Sequence, residues 1–304
     1  TTPQFFCSIS GLVISKIKRV PFILEVADIW TNSIKATQET YGFFYSLMEK
    51  IETFIYKKSD AIVVLTHGFK KEIIKRGVDK NKIFVVMNGV KQQVYSKKFD
   101  NSELIDKFNI KDKKVIGYAG SLGLAQGLLN IVETARILDK ENVNNVLFII
   151  MGEGDQKEII AKAAKGLKNI ILVEGKPKDL IPKYLSIFNI GLAHLNDSTA
   201  FKTTIPSKIF EMMAAGLPIL AVSPKGEASE LVEILKIGCW VSAGNPRLLA
   251  NSIVEMIRDP QDIINFSKNS LIASKEFTRE QQSQKILDVV DTVVAKRIMG
   301  NTST

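Results

Sequence analysis

At 304 residues with 45% apolar side chains, the chain is long enough for two ordinary domains and too hydrophobic for wholesale disorder. It contains no run of 18 uncharged apolar residues, which excludes a hydrophobic spanning helix, and two distant cysteines, Cys7 and Cys239, argue against a disulfide framework or zinc site and suit a reducing cytoplasm. The +9 charge is uneven: residues 1–100 hold 16 Lys+Arg against 9 Asp+Glu, the other 204 hold 25 against 23, and neither a long basic block nor an aromatic–basic repeat points to nucleic acid.

In chain order, the opening TTPQFFCSIS lacks a basic segment ahead of an apolar core and reads poorly as a secretion signal. FILEVAD (22–28), AIVVLT (61–66) and IFVVMN (83–88) then predict buried strands, with helices over 43–59 and 68–76 between them. A Lys/Asp-rich linker near 89–112 follows. The pattern restarts with KVIGYAGS (114–121), NVLFIIMGEG (145–154), NIILVEG (169–175), NIGLAHL (189–195) and PILAVS (218–223). Helices near 125–140, 155–166, 178–187, 206–215 and 227–236 separate these strands, and the tail beyond about 245 is helical. Continuous Val/Ile/Leu runs alternating with helices predict parallel sheets covered on both faces. The fold class is therefore α/β, with two doubly wound units. In such sheets ligands bind at the carboxyl ends of the strands, so the loops there hold the candidates.

SLGLAQG (121–127) follows the strand VIGYAG. Gly120, Gly123 and Gly127 let backbone come close to a ligand, although their spacing is not the G-x-G-x-x-G fingerprint. Gly152 and Gly154 of GEGDQK form a second, shorter glycine loop. In IPSKIFEMMAAGLPILAV (205–222), Pro206 suits a first helical turn, and Ser207 and Lys208 sit where free amides gather. A Lys and a Ser there form a plausible diphosphate clamp. Glu211, three residues after Lys208, shares its side of the helix and could accept from ribose hydroxyls. The competing reading is a surface Lys208–Glu211 pair worth about 0.2–0.5 kcal/mol. His67 and His194 are the only histidines; His194 ends a strand, and His67 opens a helix as a possible cap. Asp28 ends FILEVAD, where an N-cap and a catalytic role both remain open.

LEVADIW, DAIVVLTHGF, KIFVVMNGV, YAGSLGLAQGL, FIIMGEG, IPSKIFEMMAAGLPILAV and GEASELVE together resemble the retaining glycosyltransferases of family 4, over about residues 1–298. The likeness is strongest to the bacterial subgroup that includes the L-fucosamine transferases of O-antigen assembly. The resemblance implies the GT-B fold of two Rossmann-like domains, the first incomplete here. The implied divisions are a partial acceptor-side domain over 1–100, a nucleotide-sugar domain over 101–274, and a helix over 275–304 packing back toward the first domain. It further implies that roughly a hundred upstream residues are missing.

By the same resemblance Glu211 binds the donor's ribose, and the Gly120–Gly127 loop, with Ser121 and Gln126, faces the diphosphate. The backbone near Lys176 lies beside the base, and Thr203, Pro206, Ser207 and Glu227 join the donor side. Lys208, Glu211 and Asp28 are the catalytic candidates. Thr203 stands where many members carry a glutamate. Ser121 and Gln126 replace an arginine and a lysine, which makes Lys208 the substitute cation. Ala27 replaces the His or Arg often found before the aspartate. The expected activity is metal-independent retaining transfer of a sugar, an N-acetylamino sugar by resemblance, from a UDP-linked donor to a lipid-linked or polysaccharide acceptor. The donor acts as co-substrate, with no separate cofactor, and the site is cytoplasmic, against an anionic membrane surface. The rival readings are a nucleotide-sugar-binding pseudoenzyme and a GT-B epimerase.

Overall fold

The structure is a computed structural model that describes residues 5–32 and 42–302; the last two residues of the expected C-terminal helix lie outside the described residues. The chain divides into two units. One comprises Thr1–Gly89, Thr203–Ile205 and Arg279–Thr304, the other Val90–Lys202 and Pro206–Thr278. The first boundary lies at Gly89, ahead of the 100/101 division expected from sequence, and the return to the first unit starts at Arg279 rather than 275.

The first unit runs α1 (Phe5–Lys18), β1 (Ile23–Val26), α2 (Phe43–Lys58), β2 (Ala61–Val64), α3 (His67–Lys75) and β3 (Ile83–Val85). The three strands pair in parallel, in the order β1-β2-β3, with Ile23 beside Ala61 and Ile62 beside Ile83. Successive strand residues point to opposite faces. Ile62 and Val64 therefore pack with Ile55, Tyr56, Phe69 and Ile73 of α2 and α3, while Ala61 and Val63 pack with Val289 and Val293 of the C-terminal helix. Both faces being covered, β2 needs four consecutive apolar residues, which is what AIVV supplies. Thr66 caps α3 by accepting from Phe69 N, so the exposed His67 is the first helical residue and not the cap.

The second unit contains α4 (Gln92–Tyr95) and α5 (Ser102–Phe108), both within the stretch expected to be a linker. It continues with β4 (Lys114–Ala119), α6 (Leu129–Lys140), β5 (Val146–Gly152), α7 (Lys157–Ala164), β6 (Ile170–Glu174), α8 (Ile181–Leu185), β7 (Ile190–His194), α9 (Lys208–Ala214), β8 (Ile219–Ser223), α10 (Glu227–Leu235) and β9 (Gly238–Ser242). The long helices α11 (Pro246–Arg258) and α12 (Pro260–Ser274) close it, and α13 (Arg279–Thr302) belongs to the first unit. All six strands are parallel, in the order β6-β5-β4-β7-β8-β9. Counted within the unit, that is 3-2-1-4-5-6, the doubly wound order. The fold is α/β with two parallel Rossmann-like sheets, as the sequence pattern led us to expect.

Besides α4 and α5, β9 and α1 escaped the pattern. β9, GCWVS, is an edge strand, mostly half-buried, so it lacks a continuous aliphatic run. Its Gly238, at φ +157°, passes so near β8 that a Cβ would lie 1.8 Å from the Ile219 carbonyl oxygen. Helix α1 is inverted: it buries Ser8, Leu12 and Ser15 while Phe6, Val13, Ile14 and Ile17 stay exposed. A pattern that assigns apolar residues to the core misreads such a helix.

Candidate functional site

In a 3-2-1-4-5-6 sheet the connections diverge between the two central strands, here β4 and β7, and a crevice opens at their carboxyl ends. The loop after β4 and the end of β7 therefore define the candidate site of the second unit. The loop leans on the end of β5: Gly120 N donates to Met151 O at 2.9 Å and Leu122 N to Glu153 O at 2.8 Å. Gln126 Oε1 reaches back to accept from Gly123 N at 3.1 Å. Gly127 sits at φ +59° against Asn196.

The neighbouring glycines have a use the sequence did not suggest. A Cβ on Gly152 would lie 1.8 Å from the Gly120 carbonyl oxygen, and one on Gly154, at φ +159°, 2.3 Å from that of Leu122. The space these two leave open is filled by the β4 loop itself.

Lys208 is the first residue of α9, with Pro206 and Ser207 just ahead of the helix and no side-chain cap from Ser207. Its stem is partly exposed, but Nζ is buried and has no hydrogen-bond partner. Nζ lies 3.6 Å from the centre of the Tyr118 ring, a cation–π placement, and 2.6 Å from where a Cβ on Gly120 would be. The pairing of Lys208 with Glu211 at the surface is thereby ruled out: Glu211, one turn on and partly buried, acts on the ammonium only through space. Burial lowers the Lys208 pKa to about 7, against the opposing pull of Glu211. α9 has seven residues, so its dipole is short and the charge offered at this point is that of Lys208 itself.

Tyr118, which sequence reading passed over, is fully buried on β4 and donates its hydroxyl to Ser121 O at 2.6 Å. One side chain thus supports both the ammonium and the exposed Ser121. Glu153 accepts from Gly175 N at 2.9 Å and pairs with Lys157, which ties the turn before Lys176 to the end of β5. Glu227 opens α10 beside Gly226, whose amide donates to Ser229 Oγ at 2.8 Å. Thr203 belongs to the first unit, where its carbonyl accepts from Thr66 Oγ1 at 2.7 Å and its side chain abuts Gly68.

Asp28 also belongs to the first unit, two residues beyond β1. The turn after it is held by a buried carboxylate. Glu52 of α2 accepts from Trp30 N at 3.0 Å and Thr31 Oγ1 at 2.7 Å, and pairs with Arg76 Nη1 at 2.6 Å. Burial pulls the Arg76 pKa down, but Glu52 first, with Tyr56 and Glu72, offsets this and leaves it raised. Sequence reading missed Glu52, although a signal was there: Met48, Glu52, Ile55 and Tyr56 form one helical stripe, with a carboxylate among core residues.

The family described as glycosyl transferases group 1 matches residues 100–271. The chain belongs to that family. Among curated relatives, the "Probable glycosyltransferase WbjE" of Pseudomonas aeruginosa is 26% identical over 241 residues, which are 77% of this chain and 59% of that protein. The capsular polysaccharide biosynthesis glycosyltransferase CapM of Staphylococcus aureus is 23% identical over 71% of this chain and 56% of its own length. The chain thus spans somewhat over half of these two relatives. Among solved structures, Anabaena Alr3699/HepE in complex with UDP superposes with a TM-score of 0.81 at 19% identity, covering 95% of this chain and 77% of that one. WaaG, a glycosyltransferase involved in lipopolysaccharide biosynthesis, gives 0.70 at 15% identity, covering 88% and 73%. At these identities the superpositions speak for a shared GT-B fold.

Proposed function

We propose that the chain is part of a retaining glycosyltransferase. It would move a sugar, of the N-acetylamino class, from a UDP-linked donor to a lipid-linked or polysaccharide acceptor in bacterial surface-glycan synthesis. The observation that carries this reading is Lys208 Nζ, a buried cation without a hydrogen-bond partner, set against the glycine loop at the switch point of the second sheet. Burying an ammonium without a counter-group is costly, and a site that tolerates it is built for an anion. The UDP held by HepE supports a uridine diphosphate as that anion.

In this reading Glu211 accepts from the ribose hydroxyls. Lys208 meets the negative charge that grows on the diphosphate as the sugar departs, and stabilises the transition state more than the ground state. Asp28 serves the acceptor side. No metal is assigned to the diphosphate, and activity is expected to survive EDTA; loss on chelation with rescue by magnesium or manganese would overturn that assignment.

Calorimetric titration with UDP-glucose tests the site. Lys208 must be charged to hold the diphosphate, and bound anion returns its pKa toward the ordinary value. Binding should therefore take up protons at pH 8, and affinity should fall as pH rises above about 7. In the empty protein the sign is opposite: the unfolded chain holds the Lys208 proton up to about pH 10.5, so stability rises from pH 7 toward that value. Binding without proton uptake would remove Lys208 from the site.

Kinetics separate the two side chains. Glu211→Ala should raise KM with kcat little changed, because ribose is held in ground and transition states alike. Lys208→Ala should raise KM as well, since its charge holds the diphosphate in the ground state, and should lower kcat besides, since that charge acts more strongly in the transition state. Each loss should be about 1.5–3 kcal/mol, as for a charge-assisted hydrogen bond. Wild-type kinetics in both variants would take both residues out of the donor site.

The first unit supports a membrane-borne acceptor. α1 exposes Phe6, Val13 and Ile17 with Lys16 and Lys18 beside them, and α2 exposes Phe43, Leu47 and Phe54 with Lys50 and Lys57. Apolar stripes edged by lysine suit the interface of an anionic bilayer. Among the described residues no helix is long and apolar enough to cross a membrane. Sedimentation with vesicles should show binding to anionic lipid that weakens between low and physiological salt. Equal binding to neutral vesicles would turn the choice toward a soluble acceptor.

A further inference from the structure

His194 is the last residue of β7, 1% exposed, at the switch point. Its Nδ1 lies 2.6 Å from Gln126 O, and its Nε2 lies 3.0 Å from Asn130 Nδ2. A carbonyl oxygen can only accept, so Nδ1 carries the proton; an amide nitrogen can only donate, so Nε2 is bare. The Asn130 backbone carbonyl accepts from Thr134 Oγ1 at 2.7 Å. Two residues on, Asn196 donates from its backbone N to Ala125 O at 2.8 Å and from Nδ2 to Leu124 O at 3.1 Å. The carbonyls of Leu124, Ala125 and Gln126, three in succession, are all drawn to the end of β7.

That arrangement matters because a loop offered to an anion must keep its carbonyl dipoles turned away from it. We infer that His194 is a positioning residue of the donor site, whose Nδ1–H, with Asn196, holds the Gln126 end of the glycine loop in its binding shape; this rests on the donor-site reading above. Protonating Nε2 would leave the Nδ1–H in place but turn a second N–H against the Asn130 amide nitrogen. A second charge would lie near the Lys208 ammonium, the charged group that acts on it, in a pocket closed to water. Burial first, then Lys208, depress the His194 pKa to about 4 against the favourable bond to Gln126. The histidine is thus kept from titrating over the range in which most histidines switch.

Two substitutions separate this role from plain packing. In His194→Asn the amide nitrogen falls near the place of Nδ1 and can still donate to Gln126 O. In His194→Gln it falls near the place of Nε2 and cannot. UDP affinity of the full chain, by calorimetry, should drop about tenfold or more in His194→Gln, as when a buried partner is left unsatisfied. In His194→Asn it should stay within about threefold. Equal losses in the two variants, or no loss in either, would overturn the inference while wild-type binding upheld the site.

Nitrogen NMR of the unsubstituted chain gives an answer that depends neither on the folding of the variants nor on the nucleotide. It should show a protonated Nδ1 and a bare Nε2, unchanged from about pH 5 to 8. An Nε2–H tautomer, or titration near the usual histidine value, would overturn the inference. If the wild-type chain binds no UDP, the donor-site reading falls and the positioning role falls with it.

Discussion

Arg76→Ala should unfold the first unit more readily by about 3–5 kcal/mol, the cost of leaving a buried charge without its partner. The side chains of Arg76 and Glu52 are 11% and 5% exposed, so the pair has little access to water that could replace the lost contact. Arg76 also reaches Thr31 Oγ1 at 3.1 Å, and Glu52 collects Trp30 N and Thr31 Oγ1. Removing the guanidinium leaves a carboxylate with two donors where it had three. The pair's net worth is a separate quantity. Glu52→Leu combined with Arg76→Met should cost far less than Arg76→Ala alone, since no buried charge remains. Urea unfolding can resolve this, because the chain's two tryptophans, Trp30 and Trp240, fall one in each unit. Trp240→Phe leaves fluorescence to the first unit. An Arg76→Ala midpoint within 0.5 kcal/mol of the parent, about the span of ordinary surface changes, would mean that the pair is hydrated in solution. If Asp28 serves the acceptor, Arg76→Ala should also raise the acceptor KM under conditions where the protein stays folded.

The strands that β2, β5, β7 and β8 became were legible because burial on both faces demands unbroken apolar runs, and each has one. β9 and α1 were illegible for the opposite reason. An edge strand needs less apolar cover, and α1 turns its hydrophobic side outward. At the candidate site, residue types at helical spacing were enough to single out Lys208 and Glu211, but not to choose between a surface pair and a buried ammonium. That choice depends on Tyr118, ninety positions earlier, and no local pattern connects the two. The same holds for His194: its place at the end of a strand names no partner, and only the fold brings Gln126 and Asn130 to its two ring nitrogens. Glycine was legible as a signal of close approach, while what approaches it was not.

Gly152→Ala should show how much of the site depends on that approach. Gly152 ends β5 with ordinary backbone angles, so alanine brings no conformational strain of its own. The obstacle is space. The new Cβ would lie 1.8 Å from the Gly120 carbonyl oxygen and 3.2 Å from Leu122 Cδ2, whereas real Cβ atoms essentially never come within 3.0 Å of another atom. At least about 1.2 Å of backbone movement is needed, and the atom in the way cannot swing aside as a side-chain tip could. β5 is buried along its whole length and paired to β4 and β6, so the loop is the part that must yield. Its displacement would stretch the bonds from Gly120 N to Met151 O and Leu122 N to Glu153 O, and would shift Gly120 relative to Lys208. Overpacking of this kind costs about 1–3 kcal/mol. Misplacing binding groups by about 1 Å can cost a further 10²-fold in function. UDP affinity should therefore fall about a hundredfold while most of the second unit's stability remains. Gly166→Ala is a suitable control for stability, because its Cβ meets nothing within 4 Å, although its φ of +88° carries strain. If Gly152→Ala binds UDP like the parent, the loop after β4 is not where the diphosphate sits, and the search for it should move to the turns after β6 and β8.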